Sequence, residues 1–181
     1  MRRWLKRIGI AALVLAGCAV AFVLSGYLLP RGMALGVEER ISAPPERVYP
    51  LLVTSEGIAR WWTAVEPPEG YPKLEVRHTG GPTEGPGTQV AFGSGGMEFE
   101  WWTLTASRPP AAVEYDVDFG IFTVHRTITL TPDAGGTAVS WQETAELGNP
   151  LLRWMAWLSG SEGVKENFRT AIRALDAAAA E

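Results

Sequence analysis

The sequence has few of the residues and motifs from which catalytic and metal sites are usually built. Cys18 is the one cysteine, and His78 and His125 are the two histidines. A disulfide framework and a zinc cluster are therefore excluded, and the two histidines with scattered carboxylates form no recognisable metal set. The common nucleophile, zinc-protease, phosphate-loop and paired C-x-x-C motifs are also missing. We predict no catalytic residue, no metal and no cofactor, and these absences favour a binding protein over an enzyme.

One long stretch of the sequence has no charge. Ile8 to Leu29 spans 22 residues, about the length that crosses a bilayer as a helix. Four basic residues precede this stretch and few follow it closely, so the positive-inside rule predicts a cytoplasmic N-terminus. The chain is then a single-pass protein of the inner membrane, with its C-terminal part outside the cytoplasm.

Two other interpretations of the same stretch stay open. One is a cleaved signal peptide, although such a peptide has a shorter apolar core than this stretch and ends in a small-residue cleavage site, which is missing here. The string LAGC, which ends at Cys18, resembles a bacterial lipobox, in which the cysteine is lipidated and anchors a lipoprotein. All three interpretations place the rest of the chain outside the cytoplasm.

The remainder of the chain has the size and charge of one acidic domain. About 150 residues follow Pro30, which suits a single domain, so we divide the chain into an anchor over 1–30 and a domain over 31–181. All 20 acidic residues and 12 of the 16 basic residues lie in that domain, for a net charge near −8. A nucleic-acid-binding protein needs a basic face, so nucleic acid is not an expected partner.

The order of predicted elements is a strand, two short helices, six strands and a long helix. The first strand is Leu35–Ile41; Pro50 shortens or bends the first helix, and Ser55 caps the second. Tight turns without intervening helices predict an antiparallel meander. Its strands are roughly Lys73–His78, Thr88–Phe92, Met97–Ala106, Ala112–Phe119, Phe122–Thr131 and Thr137–Leu147.

The C-terminal region predicts a long amphipathic helix with one interruption. Asn149 and Pro150 are typical of a helix start. The string SGSEG interrupts the helix, and either Ser159 or Ser161 can cap a restart. Apolar residues then recur at helical spacing and predict a stripe that packs on an apolar surface: Val164, Phe168, Ala171, Ile172 and Leu175. We therefore predict an α+β fold, in which one curved antiparallel sheet of about seven strands wraps around the long helix.

Several strings resemble the START-like superfamily of helix-grip domains, also called SRPBCC or polyketide cyclase/dehydrase-like proteins. They are ISAPPERVYPLL, the pair Trp61-Trp62, SRPPAAVEYDVDF, ITLTPDAGGTAVSW, GNPLLRWM and NFRTAIRALDA, over about residues 35–178. An anchor that ends in a Leu-Pro pair, here Leu29-Pro30, is familiar among bacterial members. The resemblance implies a deep apolar cavity between sheet and helix that binds lipids, sterols, polyketides or hormones. A few members are enzymes, and others are chaperone cofactors.

The string RTITLTPDAGGTAVSWQET predicts a β-hairpin with an unusual inward face. If Leu130 lies opposite Val139, then Arg126 lies opposite Glu143 and Phe122 opposite Leu147. All the inward pairs are apolar except the pair of Arg126 and Glu143, which are close enough for a salt bridge. Apolar replacements often serve a packed core as well as such a pair. We therefore predict that the pair faces a partly wet cavity and orients the polar head of a ligand. A purely structural bridge stays open, and so does a register shifted by two residues, which would leave both groups near a strand end in solvent.

Other polar clusters suggest exposed surfaces. Glu114, Asp116 and Asp118 alternate with apolar residues and form a solvated face, on which we also expect His125. His78 ends a strand beside the 79–87 loop and is a candidate for a cavity mouth.

We predict a membrane-tethered domain that binds a hydrophobic small molecule or lipid between the sheet and the C-terminal helix. Because tryptophan is broad and rigid and carries one donor, it suits a ligand cavity. The predicted ligand-binding residues are Arg126, Glu143, Trp141, Trp62, Tyr115, Phe122, Phe168 and Trp157. One alternative is a polyketide cyclase-like or hydrolase-like enzyme that uses Glu143, Arg126, Tyr115 and Glu100; another is a protein-interaction domain with a vestigial cavity.

Overall fold

The computed structural model describes residues 2–65, 70 and 72–181, with the side chains of 2, 3, 5 and 6 excepted. Its helices are α1 (Arg2–Ser25), α2 (Pro45–Val53), α3 (Ser55–Trp62), α4 (Pro150–Ser159) and α5 (Glu162–Ala180), with a 3-10 turn at Gly26–Leu28. Its strands are β1 (Gly32–Ile41), β2 (Leu74–Gly80), β3 (Gln89–Ser94), β4 (Met97–Arg108), β5 (Ala112–Asp118), β6 (Thr123–Asp133) and β7 (Gly136–Glu146). The chain forms two compact units: the first consists of residues up to Met33 with 147–160, and the second of 34–146 with 161–181.

The seven strands form one antiparallel sheet in the order β1-β7-β6-β5-β4-β3-β2. From β2 to β7, each strand pairs with its neighbour in sequence, as short Gly-rich and Pro-rich turns require. The predicted meander is confirmed, and β1 and β2 are the edge strands. β1 begins three residues earlier than predicted, and the ladder extends beyond it because the Leu147 backbone N–H donates to the Arg31 carbonyl at 2.8 Å.

The predicted register of the β6–β7 hairpin is confirmed over four inward pairs. Arg126 lies opposite Glu143, between the apolar pairs Ile128–Trp141 and Val124–Ala145. The fifth predicted pair, Phe122 with Leu147, is wrong, because β6 begins only at Thr123. The Phe119 backbone N–H donates to the Phe122 carbonyl at 3.1 Å, and this turn takes Phe122 out of the ladder.

The two short helices after β1 are confirmed, with one correction. Pro50 lies inside α2, which has only nine residues. The predicted cap Ser55 is instead the first residue of α3, and Thr54 is the N-cap. Its hydroxyl accepts a hydrogen bond from the Gly57 backbone N–H at 2.9 Å, which satisfies one of the free donors of the first helical turn.

The second unit has its core between the sheet and α5. The predicted stripe of α5 is buried at Phe168, Ala171, Ile172 and Leu175 and half-buried at Val164. Phe168 stacks on Trp141 of β7 with ring centroids 5.6 Å apart. α5 also packs against α2 and α3, so both faces of this core come from the elements that the sequence predicted.

The predicted interruption of the C-terminal helix is confirmed. Gly160 has a φ of 65°, which an α-helix cannot continue, so α4 ends at Ser159 and α5 begins at Glu162. Asn149 caps α4 as predicted, and its side chain accepts from the Leu151 backbone N–H at 2.8 Å. Ser161 is the N-cap of α5 but makes no side-chain capping bond.

The first unit contains the long apolar helix. The stretch Arg7–Leu28 has a mean hydropathy of 2.5 and is long and apolar enough to cross a membrane, with none of its most apolar window buried. This observation is consistent with a membrane anchor or a signal sequence, and Cys18 lies exposed within the helix.

Candidate ligand-binding site

A buried ion pair lies at the centre of the sheet's inner face. Arg126 is 3% exposed and Glu143 is 5% exposed. Arg126 Nε donates to Glu143 Oε1 at 2.6 Å, and Arg126 Nη2 lies 2.6 Å from the same oxygen. Two donors of the rigid guanidinium therefore meet one carboxylate oxygen, which fixes the plane of the arginine.

A third charged group, Glu100 of β4, completes the cluster. Its Oε1 lies 3.4 Å from Arg126 Nη2 and accepts a hydrogen bond from Trp102 Nε1 at 2.5 Å. Burial raises the pKa of Glu100 above its ordinary value of 4.5, and the attraction of Arg126 does not offset that burial. The negative charge of Glu143 acts in the same direction as burial and also raises the pKa of Glu100.

Two tryptophans enclose the guanidinium. The central carbon of Arg126 lies 4.0 Å from the ring centroid of Trp102 and 4.9 Å from that of Trp141, within the range of a cation–π contact. Trp141 Nε1 also donates to Glu143 Oε1 at 3.3 Å. Each glutamate thus accepts from a tryptophan two residues away on its own strand, because side chains of alternate residues share a face.

Two donors in this region have no acceptor among the described residues. They are Arg126 Nη1 and Trp62 Nε1, and both atoms are buried. The Trp62 ring lies edge-on to Trp102 at 5.2 Å between centroids, so both donors adjoin the same indole ring. A buried donor without a partner costs about 1–3 kcal/mol, so a ligand that brings acceptors to these atoms would recover that energy.

Tyr115 lies opposite Arg126 on β5 but has a structural contact of its own. Its hydroxyl donates to the Leu52 carbonyl of α2, and burial raises the pKa of Tyr115 well above its ordinary range. Trp61 Nε1 makes a similar bond to the Leu51 carbonyl at 3.0 Å. Tyr115 therefore holds α2 on the sheet and Trp61 holds α3 on α2, and Tyr115 is unsuited to act as a base.

An open groove of about 460 Å³ lies along β1 and β7. Its lining comes mostly from the outward-facing alternate positions of the two strands, Ala34, Gly36 and Glu38 of β1 and Ser140, Gln142 and Thr144 of β7. Because side chains of alternate residues share a face, the groove lies on the outer face of the sheet, opposite the buried side chain of Glu143.

The structure brings together six of the eight predicted ligand-binding residues. Arg126, Glu143, Trp141, Trp62 and Tyr115 form the cluster, and Phe168 joins it through Trp141. Phe122 instead stacks on Phe119 at 5.1 Å. Trp157 belongs to α4 in the first unit, where it is 61% exposed and lies edge-on to Trp154.

The predicted site omitted two central members, Glu100 and Trp102. Glu100 appeared only in the enzyme alternative, and Trp102 was not among the predicted ligand-binding residues. Alternation supplies the missing signal, since Glu100, Trp102 and Leu104 occupy every second position of β4 and all three are buried.

The histidines and surface acids lie outside this cluster. His125 is exposed, as predicted, and its Nδ1 lies 3.1 Å from Asp116. His78 Nε2 lies 3.2 Å from the Pro82 carbonyl. Among the residues that the structure describes, no group of three or more potential ligands could hold a metal ion.

Comparison with known families assigns the domain. The family described as polyketide cyclase / dehydrase and lipid transport matches residues 35–180. The chain belongs to this family. Membership confirms the resemblance to START-like helix-grip proteins and identifies a domain of the class that binds hydrophobic ligands.

Solved structures show the same fold at low sequence identity. Ara h 8.0201 has a TM-score of 0.58 and 15% identity, over 82% of this chain and 97% of its own. A protein from Mesorhizobium loti has a TM-score of 0.57 and 16% identity, over 81% and 96%. A protein from Chromobacterium violaceum has a TM-score of 0.55 and 20% identity, over 80% and 94%. No curated protein matches the sequence significantly.

Proposed function

We propose that this chain is a membrane-tethered domain that binds an apolar small molecule or lipid with a neutral oxygen acceptor. The acceptor bonds to Arg126 Nη1, and Trp62 Nε1 provides a second donor. The observation that carries the proposal is the buried Arg126 Nη1, which has no acceptor among the described residues while Nε and Nη2 both face Glu143.

The charge of the cluster favours a neutral acceptor over a carboxylate. Glu143 already neutralises Arg126, and Glu100 contributes either no charge or one further negative charge. An anionic ligand would therefore add a buried negative charge that no cation of the cluster offsets, which costs free energy in a dry site. A ketone, ester or amide carbonyl accepts the same hydrogen bond without that cost.

The surrounding side chains suit a flat or apolar ligand body. Trp62, Trp102, Trp141 and Phe92 are joined by ring contacts. Apolar pockets with few polar groups are the usual form of small-molecule sites.

Matched pairs of aromatic probes test this proposal. Fluorenone and fluorene differ by one carbonyl oxygen, and their affinities for the full chain in detergent can be measured by calorimetry. We expect the ketone to bind more tightly, by roughly the 0.5–1.5 kcal/mol of one net hydrogen bond or more. Equal affinity for the two probes, or binding of neither, would contradict the proposal.

The Trp62→Phe variant tests the second donor. It removes Nε1, which has no partner among the described residues, and keeps an aromatic ring. We expect no loss of stability, because the cost of the unpaired donor offsets the packing lost with the larger ring, and a smaller preference for the ketone. Trp101→Phe is the matched control, because Trp101 lies outside the cluster and donates to Glu98 at 3.2 Å.

The membrane tether needs a separate test. The charge asymmetry around α1 supports a cytoplasmic N-terminus, so a reporter that is active only outside the cytoplasm should be active when fused after Glu181. Intact mass measurement distinguishes the alternatives, because a lipoprotein would begin at a lipidated Cys18 and a cleaved signal would remove the helix.

A second candidate function is catalysis on the bound carbonyl compound. The raised pKa of Glu100 favours it, because a carboxylic acid that stays protonated can act as a general acid. Arg126 Nη2 contacts both Glu100 and Glu143, so the cluster contains a second carboxyl group beside the first. If Glu143→Gln abolished conversion of a bound ligand, followed by mass spectrometry, while its binding persisted, the chain would be an enzyme.

A further inference from the structure

Helix α4 exposes large apolar side chains. Leu151 is 44% exposed, Met155 58%, Trp157 61% and Leu158 67%. Leu151, Met155 and Leu158 follow a spacing of four and three residues, so they form one stripe along the helix. Such a stripe is typical of a surface that contacts a membrane or another protein.

α4 is fixed to the last part of the apolar helix α1, within the first unit. Trp154 Nε1 donates to the Phe22 carbonyl at 3.0 Å, and the two rings stack with centroids 4.9 Å apart. Gly26 is close enough to Pro150 that a Cβ atom on it would lie 2.4 Å from the Pro150 carbonyl oxygen. These contacts determine how deep α4 lies along α1.

The position of this contact along α1 corresponds to the boundary region of a bilayer that α1 would span. Phe22 lies six residues before Leu28, where the candidate span Arg7–Leu28 ends. At a rise of about 1.5 Å per residue, the contact with Trp154 lies roughly 9 Å inside that end. Interfacial helices bury their apolar face about 5–10 Å into the region between headgroups and acyl chains.

The one charged residue of α4, Arg153, donates its hydrogen bonds to backbone carbonyls of the same unit. Arg153 Nε donates to the Leu147 carbonyl at 2.7 Å, and its Nη1 donates to the Tyr27 carbonyl at 3.3 Å. The guanidinium also lies 5.4 Å from the Tyr27 ring. No charge is therefore left to interrupt the apolar stripe, and Trp157 is of the residue type enriched at membrane interfaces.

We infer that α4 is an interfacial membrane helix, whose Leu151, Met155, Trp157 and Leu158 side chains contact the acyl chains of the bilayer that α1 spans. The inference rests on the proposed membrane tether. A phospholipid bilayer is the occupant because α4 is attached to a helix whose own apolar surface is exposed at the same depth. The chain then contacts the membrane twice, once through a spanning helix and once through a helix in the interface.

Nitroxide labels on the full chain test this inference. In a Cys18→Ser background, single cysteines are placed by the variants Met155→Cys, Leu15→Cys and Asn167→Cys, and each is labelled in phosphatidylcholine vesicles. Leu15 is 70% exposed within α1, and Asn167 is an exposed position of α5. Power-saturation EPR compares the accessibility of each label to oxygen, which enters the bilayer, and to a nickel complex, which stays in water.

We expect the label at position 155 to be several-fold more accessible to oxygen relative to nickel than the label at 167, at a depth of about 5–10 Å. Equal nickel accessibility at 155 and 167, with position 15 in the bilayer, would overturn the interfacial helix and leave the tether intact. Protection of position 155 from both reagents would show a protein partner and would also overturn it. A water-accessible label at position 15 would overturn the tether and the interfacial helix together.

Discussion

The two units of this chain depart from the usual distribution of polar and apolar groups in opposite directions. In the first unit, apolar side chains such as Trp157 and Leu158 lie exposed. In the second, Arg126, Glu143 and Glu100 are buried beneath aromatic rings. Both arrangements would be unfavourable in an ordinary water-soluble domain without a bound partner.

The difference between the units lies in what could make each arrangement favourable. The exposed stripe needs an apolar surrounding, which a bilayer supplies without any particular geometry. The buried cluster already satisfies most of its own donors and acceptors. Within the described part of the chain, the buried donors that still need an acceptor are Arg126 Nη1 and Trp62 Nε1. The first unit is therefore suited to contact an apolar surface. The second is suited to bind a molecule whose acceptor lies at a defined position.

The largest expected effect comes from breaking the buried ion pair. Glu143→Leu removes the closer counter-charge of Arg126 and leaves only Glu100, whose Oε1 lies 3.4 Å from Arg126 Nη2. We expect it to lower the free energy of unfolding by about 3 kcal/mol, the low end of the range for a broken buried pair. The double variant Arg126→Met with Glu143→Leu should recover most of that loss. Denaturant unfolding of the full chain in detergent compares the parent, the single variant and the double variant. A Glu143→Leu variant as stable as the parent would contradict the expected cost of breaking the pair.

The function of the pair requires a second readout from the same double variant. We expect it to bind fluorene as the parent does and to lose the preference for fluorenone. A double variant that kept both stability and selectivity would leave Arg126 and Glu143 without a role in recognition.

Phe168→Ala tests whether the core beside the cluster is packed. Phe168 is 6% exposed and stacks on Trp141, so its removal should cost about 3 kcal/mol, at the low end of the range for buried Phe→Ala changes. Val164→Ala, at a half-buried position of the same helix, should cost less. A much smaller loss for Phe168→Ala would indicate that its ring borders a void rather than a packed core.

Glu100→Gln gives a smaller effect that depends on pH. The pKa of Glu100 is raised in the folded state, so the native protein holds this proton at pH values where the unfolded chain has released it. As pH rises above about 4.5, ionisation of Glu100 therefore costs stability, at about 1.4 kcal/mol for each unit by which the pKa is raised.

Glutamine mimics the protonated carboxyl group at every pH. We therefore expect Glu100→Gln to match the parent near pH 4 and to exceed its stability at pH 7, measured as the denaturant midpoint across that range. Glu143→Gln should lower stability at pH 7 instead, because it removes the closer counter-charge of Arg126. A Glu100→Gln variant less stable than the parent at pH 7 would contradict the assigned cause of the shift.

The fold and half of the site followed from local patterns in the sequence. Alternation fixed which face each strand buries, and the Pro-Asp-Ala-Gly-Gly turn fixed the register that places Arg126 opposite Glu143. These are relations between neighbouring strands, and one hairpin contains all the information they need.

The rest of the site depends on relations that no single hairpin contains. Glu100 approaches Arg126 although β5 separates their two strands, so the pairing of neighbouring strands does not reveal the contact. The free donor of Trp62 depends on how α3 packs. The apolar periodicity of α4 predicted a helix but not which apolar surface it covers, and Trp157 was therefore placed in the ligand site although it lies in the other unit.

The smallest expected effect comes from the exposed stripe. Met155→Gln keeps the length and helix propensity of the side chain, and because Met155 is 58% exposed, we expect the free energy of unfolding in detergent to change by no more than about 0.5 kcal/mol. Leu175→Gln is the control: Leu175 is fully buried on α5, and an amide there without a partner should destabilise the chain strongly. Power-saturation EPR in vesicles separates membrane contact from stability. Met155→Gln should make a label placed by Trp157→Cys more accessible to the nickel complex, while the free energy of unfolding stays unchanged. A large loss of stability in Met155→Gln would mean that the stripe is part of the folded core, and the contrast between the two units would then no longer hold.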